Sequence, residues 1–136
     1  MRLKGSTFEF QDERDKDLMR AYREQLSKQK GRINLPEVLL ATVNSPSAKF
    51  WVSAERAMEM VRRIRSGRVL LKSQSNSREK YEEIAKRVDS LLAEHPQMSL
   101  ESAVIQVIEG GAPKFYITPE SAKLIIYDIR KRWKRR

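Results

Sequence analysis

Apolar residues recur along this chain at spacings of three and four, in six groups separated by polar breaks. Leu18, Met19, Tyr22 and Leu26 form the first group, Val38, Leu39, Leu40 and Val43 the second, and Ala57, Met60, Val61 and Ile64 the third. The series then starts again with Tyr81, Ile84, Val88, Leu91 and Leu92, continues with Val104, Ile105, Val107 and Ile108, and ends with Ala122, Ile125, Ile126, Ile129 and Trp133. This is the period of a helix with one apolar face, so the pattern predicts six helices. The first spans about residues 12–29 and stops before Gly31; Pro96 ends the fourth. Asn34 and Ser99 are good N-caps for the second and fifth, and Pro36 falls in a first turn, where its missing N–H costs little. Ser53 and Thr118 open the third and sixth, with Pro119 at the first helical position and Glu120 near the positive end of the dipole. The second and fifth helices are apolar nearly all round, which predicts burial. The FEF run at 8–10 predicts a short extended segment.

The restart is more than a likeness of pattern. Residues 34–65 align with 99–130 without a gap, at an offset of 65 positions. Lys49 and Phe50 meet Lys114 and Phe115, Trp51 meets Tyr116, and Ile64 and Arg65 meet Ile129 and Arg130. Self-similarity at a fixed period is the mark of a repeated structural unit. The expected fold is therefore all-α: two tandem three-helix units from an internal duplication. Residues 1–72 form the first unit with an N-terminal extension, the polar stretch 73–77 is a linker, and 78–136 form the second unit with a basic tail.

In both copies an aromatic pair stands just before the third helix. Phe50 and Phe115 are expected to plug the core of their own units, with Val52 and Ile117 stapling onto the helix that follows. Trp51 and Tyr116 have two readings: packing at the core rim, or contact with a base or sugar beside a phosphate held by Lys49 or Lys114.

Charge adds the next element. The formal net charge is +10, which speaks of a polyanionic partner more than of fold. The cations gather on and after the third helices: Arg56, Arg62, Arg63, Arg65, Arg68 and Lys72 in one copy, Lys123, Arg130, Lys131, Arg132, Lys134, Arg135 and Arg136 in the other. Helix dipoles favour one or two such residues, not a cluster in each copy. The site residues expected to bind nucleic acid are these, less Lys72, together with Lys49, Trp51, Lys114 and Tyr116. A helix-turn-helix fits poorly, because the second-to-third connection is longer than the usual three or four residues.

The remaining chemistry narrows by absence. There is no Cys and one His, His95, which speaks against disulfides, thiolate metal sites and Ser/His/Asp triads and suits a reducing cytoplasm. Phosphate-loop, dinucleotide and HExxH signatures are missing. The acids sit on helix faces, as in the i,i+4 pairs Glu82–Lys86 and Glu83–Arg87, which read as a solvated face. No catalytic residue, metal, cofactor or small-molecule substrate is expected. No secretory signal is expected at residues 1–15, and no run nears the roughly 20 apolar residues of a membrane span.

The stretches PSAKFWVSAERA and GAPKFYITPESA resemble a motif of small basic bacterial proteins of phages and mobile elements. The resemblance covers only the entry to each third helix. It implies a DNA-transaction or regulatory role and no catalytic residues. The resulting expectation is a non-enzymatic nucleic-acid-binding protein, DNA ahead of RNA; the alternative is a protein-interaction or assembly module with a basic surface.

Overall fold

A computed structural model describes residues 5–67 and 76–134, with side chains from residue 10 onward. Six helices follow one another: α1 (Gly5–Ser27), α2 (Leu35–Val43), α3 (Ala54–Arg65), α4 (Asn76–Glu94), α5 (Leu100–Glu109) and α6 (Pro119–Lys134). Among the described residues there is no strand, only one isolated antiparallel bridge, Ser47 with Ala112.

The chain's local signals act where they stand. The Asn34 side chain accepts from the Glu37 N–H, Ser53 from Arg56, Ser99 from Ser102, and Thr118 from Ser121. Each satisfies an orphan donor of a first turn. Gly31 takes a left-handed φ of 75° in the turn after α1, a conformation glycine adopts without Cβ strain. Two local expectations are corrected. Residues 8–10 lie inside α1, which starts seven residues before the predicted Asp12, and residues 76 and 77 of the supposed linker open α4. Short polar or mixed runs beside a strong amphipathic pattern extend the helix when nothing breaks it.

The larger correction concerns which helices share a core. Residues of α3, α4 and α5 form one hydrophobic cluster, built on Val61, Ile84, Val88 and Val104. Residues of α1, α2 and α6 form the other, built on Leu18, Val38, Ile126 and Ile129. Helix α3 thus packs on α4 and α5, and α6 on α1 and α2. Phe50 and Phe115 are buried as expected, but not at home: Phe50 lies with α4 and α5, Phe115 with α1 and α2.

The crossing segments that lead into α3 and α6 bond to each other. Ser47 and Ala112 exchange backbone hydrogen bonds at 3.0 Å each way, the Phe50 N–H donates to the Ile108 carbonyl (2.9 Å), and the Phe115 N–H to the Val43 carbonyl (3.0 Å). Every bond in this set has its counterpart 65 positions on, with the roles reversed. The crossings thereby satisfy carbonyls at the ends of α2 and α5, which helix geometry leaves open. They also deliver α3 and α6 to the opposite cores.

Candidate nucleic-acid interface

The aromatic pairs differ sharply in the two copies. Trp51 is half-buried, tilted against Phe10 with ring centroids 5.9 Å apart. Its Nε1–H donates to Asp17 Oδ2 (3.0 Å), and the Ala48 N–H donates to the same oxygen (2.8 Å). Arg20 donates to the other oxygen through Nε and Nη2, at 3.1 and 2.7 Å, and Nη2 also reaches the Pro46 carbonyl at 3.1 Å. Asp17 therefore ties the crossing segment to α1. Tyr116 is buried and stacked on Phe50 (6.0 Å, planes 18° apart), with φ at +60°. Left-handed backbone costs a non-glycine residue roughly 1–2 kcal/mol, and burial of a whole ring outweighs it. Of the two readings of Tyr116, the structure has the ring packed in the core, with Phe50 stacked on it. The same burial raises its phenol pKa above the ordinary value, with the Glu83 charge adding to the rise.

The lysines beside these rings are partly engaged. Lys49 Nζ lies 5.9 Å from the Trp51 centroid, and Lys114 pairs with Glu79 (2.8 Å) while lying 5.4 Å from the Tyr116 centroid. A cleft of about 300 Å³ opens beside Lys49 and Trp51, and both Glu13 and Glu109 border it.

On α3 most of the cations have acidic partners. Arg56 and Arg63 both pair with Glu59 at 3.1 Å, and Arg65 pairs with Asp89 of α4. Arg56 also stands 6.0 Å from the Tyr81 ring. Arg62 is exposed, with no hydrogen bond or ion pair among the described residues. Arg68 lies outside the described residues.

On α6 the balance is reversed. Lys123, Arg130, Lys131 and Lys134 are exposed and have no ion pair or hydrogen bond among the described residues. They surround Tyr127, which is 50% exposed and has Lys123 Nζ 5.9 Å from its ring centroid. Arg132 is the exception: it reaches Asp15 (2.7 Å), which is 1% exposed and also held by Arg14 (3.0 Å), and Asp128 (3.0 Å). Asp15 raises the Arg132 pKa further. Arg132 is a structural partner of a buried carboxylate, whose loss leaves that charge less compensated. Arg135 and Arg136 lie outside the described residues.

Sequence reasoning passed over Asp15, Asp17 and Arg20, and read Arg87 only as one of a surface pair. Arg87 pairs with Glu83 (2.7 Å) as expected, but it also donates to the Gly111 carbonyl (3.0 Å) and lies 5.2 Å from the Phe50 ring. Pro46 and Gly111 are 65 apart, so each crossing segment has an arginine clamp on the matching carbonyl. Glu82 pairs with Arg78 and not with Lys86. No group of three or more acids or His residues that could hold a metal occurs among the described residues, and no described helix is long and apolar enough to cross a membrane. Compared with protein-family models, curated proteins and solved structures, the chain matches none.

Proposed function

We propose that this protein binds nucleic acid, DNA ahead of RNA, in a non-enzymatic regulatory or architectural role, and that α6 with the basic residues after it is its main phosphate-binding surface. One observation carries the reading: four exposed cations on α6 have no ion pair or hydrogen bond among the described residues, while most of those on α3 have an acidic partner. A cation without an internal carboxylate meets a phosphate at no cost in broken ion pairs, whereas Arg63 or Arg65 must first release one. Binding of this kind positions a protein on the backbone without reading bases. We also propose that the chain is a duplicated three-helix unit whose copies have exchanged third helices. The gapless repeat and the reciprocal bonds of the crossing segments support this.

The test is a titration of DNA and RNA, single- and double-stranded, across a salt series. Affinity should fall steeply with salt, and Arg130→Ala or Lys131→Ala should each lower the slope by about one unit. Absence of binding at low salt sinks the proposal. The second reading, a protein-interaction module, has its own support in Leu40 and Leu124, which are 53% and 69% exposed. Self-association or protein capture with no salt-sensitive nucleic-acid binding would favour it.

A further inference from the structure

The cations of α6 border a cleft. Between α1 and α6 lies an open cavity of about 430 Å³, within the size range of small-ligand sites. Met19, Tyr22 and Trp133 contribute apolar and aromatic surface; Arg23, Arg130 and Lys134 contribute charge, and no carboxylate lines it. The Arg23 guanidinium stands 5.7 Å from the Trp133 ring centroid, and the indole is only partly buried. Apolar surface bordered by three cations and no acid complements a ligand with a flat apolar part and an anionic one.

What extends beyond the cleft decides the class of ligand. The helical period places Lys123, Arg130 and Lys134 in one band along α6, with Tyr127 on one flank and Trp133 on the other. From Lys123 to Lys134 the band runs about 16 Å at the rise of an α-helix. A single headgroup or carboxylate would occupy one end of it. An extended polyanion carrying flat rings would occupy all of it. In a duplex the bases cover one another's faces, so rings such as Trp133 and Tyr127 have nothing to stack on. In a single strand each base offers a face, and rings beside a basic track are the usual means of holding it.

Resting on the nucleic-acid reading above, we propose that the α1–α6 cleft and the adjoining face of α6 bind single-stranded nucleic acid, an unstacked base entering against Trp133 and a neighbouring base lying on Tyr127, with their phosphates on Arg23, Arg130 and Lys134. The protein then prefers single strands over duplex.

The experiment uses the full chain, an oligothymidylate of about twelve nucleotides, and a duplex of the same length. Affinities are measured by anisotropy, and the two indole N–H signals are followed by NMR. The single strand should bind more tightly and should shift the Trp133 indole signal while leaving that of Trp51, which is bonded to Asp17, in place. Tyr127→Ala alters an exposed side chain, so the fold should survive it. It should weaken single-strand binding about 5- to 150-fold, the range for loss of one stacked base, and leave duplex binding unchanged. Trp133→Leu should do the same, checked by an unchanged helical spectrum. Equal affinity for strand and duplex, or an unmoved Trp133 signal on saturation with the strand, overturns this proposal and leaves the phosphate-binding reading standing. No binding to either removes both. A Trp133 shift with phosphatidylglycerol vesicles but not with the strand overturns it in favour of a lipid surface.

Discussion

Replacing Phe50 by Ala tests the exchanged cores directly. The ring is 2% exposed, stacked on Tyr116 at 6.0 Å and approached by the Arg87 guanidinium at 5.2 Å. It lies in the cluster of Ile84, Val88, Val104 and Ile108. Truncation of a buried Phe costs about 3–5 kcal/mol, the lost transfer energy plus that of the cavity. The upper half of that range applies here. Tyr116 loses the ring that covers it while still in a left-handed backbone, and the crossing segment remains pinned by the Phe50 N–H to Ile108 bond, which hinders collapse of the cavity. In a chain of 136 residues this corresponds to a fall in melting temperature of about 10–20 °C. Urea denaturation followed by circular dichroism gives the size of the effect, and methyl NMR gives its place. Shifts should concentrate on Ile84, Val88, Val104 and Ile108 and spare Leu18, Leu39 and Ile126. A perturbation centred on Leu18 and Leu39 would place Phe50 in the core of its own sequence unit and refute the exchange. An unchanged stability would refute the burial.

Asp17→Ala should cost about 2–4 kcal/mol, because it strands the Trp51 and Ala48 donors and frees Arg20; a red shift of Trp51 emission in the folded state would accompany it, and an unchanged urea midpoint would dismiss the anchor. Arg132→Ala should lower stability by about 1–3 kcal/mol through the buried Asp15 yet leave the salt slope of DNA binding nearly intact, the reverse of Arg130→Ala; a full unit lost from the slope would return Arg132 to the binding surface. Burial, with the Arg56 charge adding, brings the Lys80 pKa down to about 8 from an ordinary 10.5. The unfolded chain thus holds this proton over a range where the folded one has shed it. Stability of the wild type relative to Lys80→Met should therefore rise with pH between about 8 and 10.5, and parallel pH profiles of the two proteins would show that Lys80 keeps its charge.

The six helices were legible because each is written in local terms. Asn34, Ser53, Ser99 and Thr118 cap where their side chains can reach a first-turn N–H, and that reach is fixed by a few residues of sequence. The partners of the apolar stripes were not legible. Met60, Val61 and Ile64 state that α3 needs an apolar surface, but α1–α2 and α4–α5 offer nearly the same one. The choice between them is made by backbone bonds of the crossing segments, and a sequence pattern does not report backbone bonds. For the same reason Asp17 and Arg87 passed as surface charges: an acid and a base three or four positions apart on a helix have the same spacing whether they face water or a returning loop. The choice between the two readings of Tyr116 was not legible because its alignment with Trp51 hides a difference in backbone, which shows only as a positive φ.

The packing partners of α3 and α6 bear on what the basic helices can do. Arg65 and Arg130 are equivalent in the repeat, yet α3 lies against α4, where Asp89 takes Arg65, while Arg130 on α6 faces an open cleft against α1. Other positions change in both directions: Arg63 corresponds to Asp128, which Arg132 holds, and two more differ as follows. Glu59, which holds Arg56 and Arg63, is replaced by Leu124, and Arg62 by Tyr127. Exposed ion pairs such as those of Glu59 contribute little to stability, typically 0–1 kcal/mol, so their main consequence on α3 is to lower the field a polyanion would meet. On α6 the corresponding face has cations and a ring, with Leu124 where Glu59 stands on α3. If phosphate binding were spread evenly over both third helices, neutral substitutions on α3 and on α6 would reduce the salt slope alike. With the charges disposed as they are, Arg130→Ala and Lys131→Ala should reduce it more than Arg63→Ala and Arg65→Ala, and Glu59→Gln should strengthen binding by releasing two arginines at once. Equal slopes for the α3 and α6 variants, together with no gain from Glu59→Gln, would mean that pairing does not decide which helix meets the phosphates.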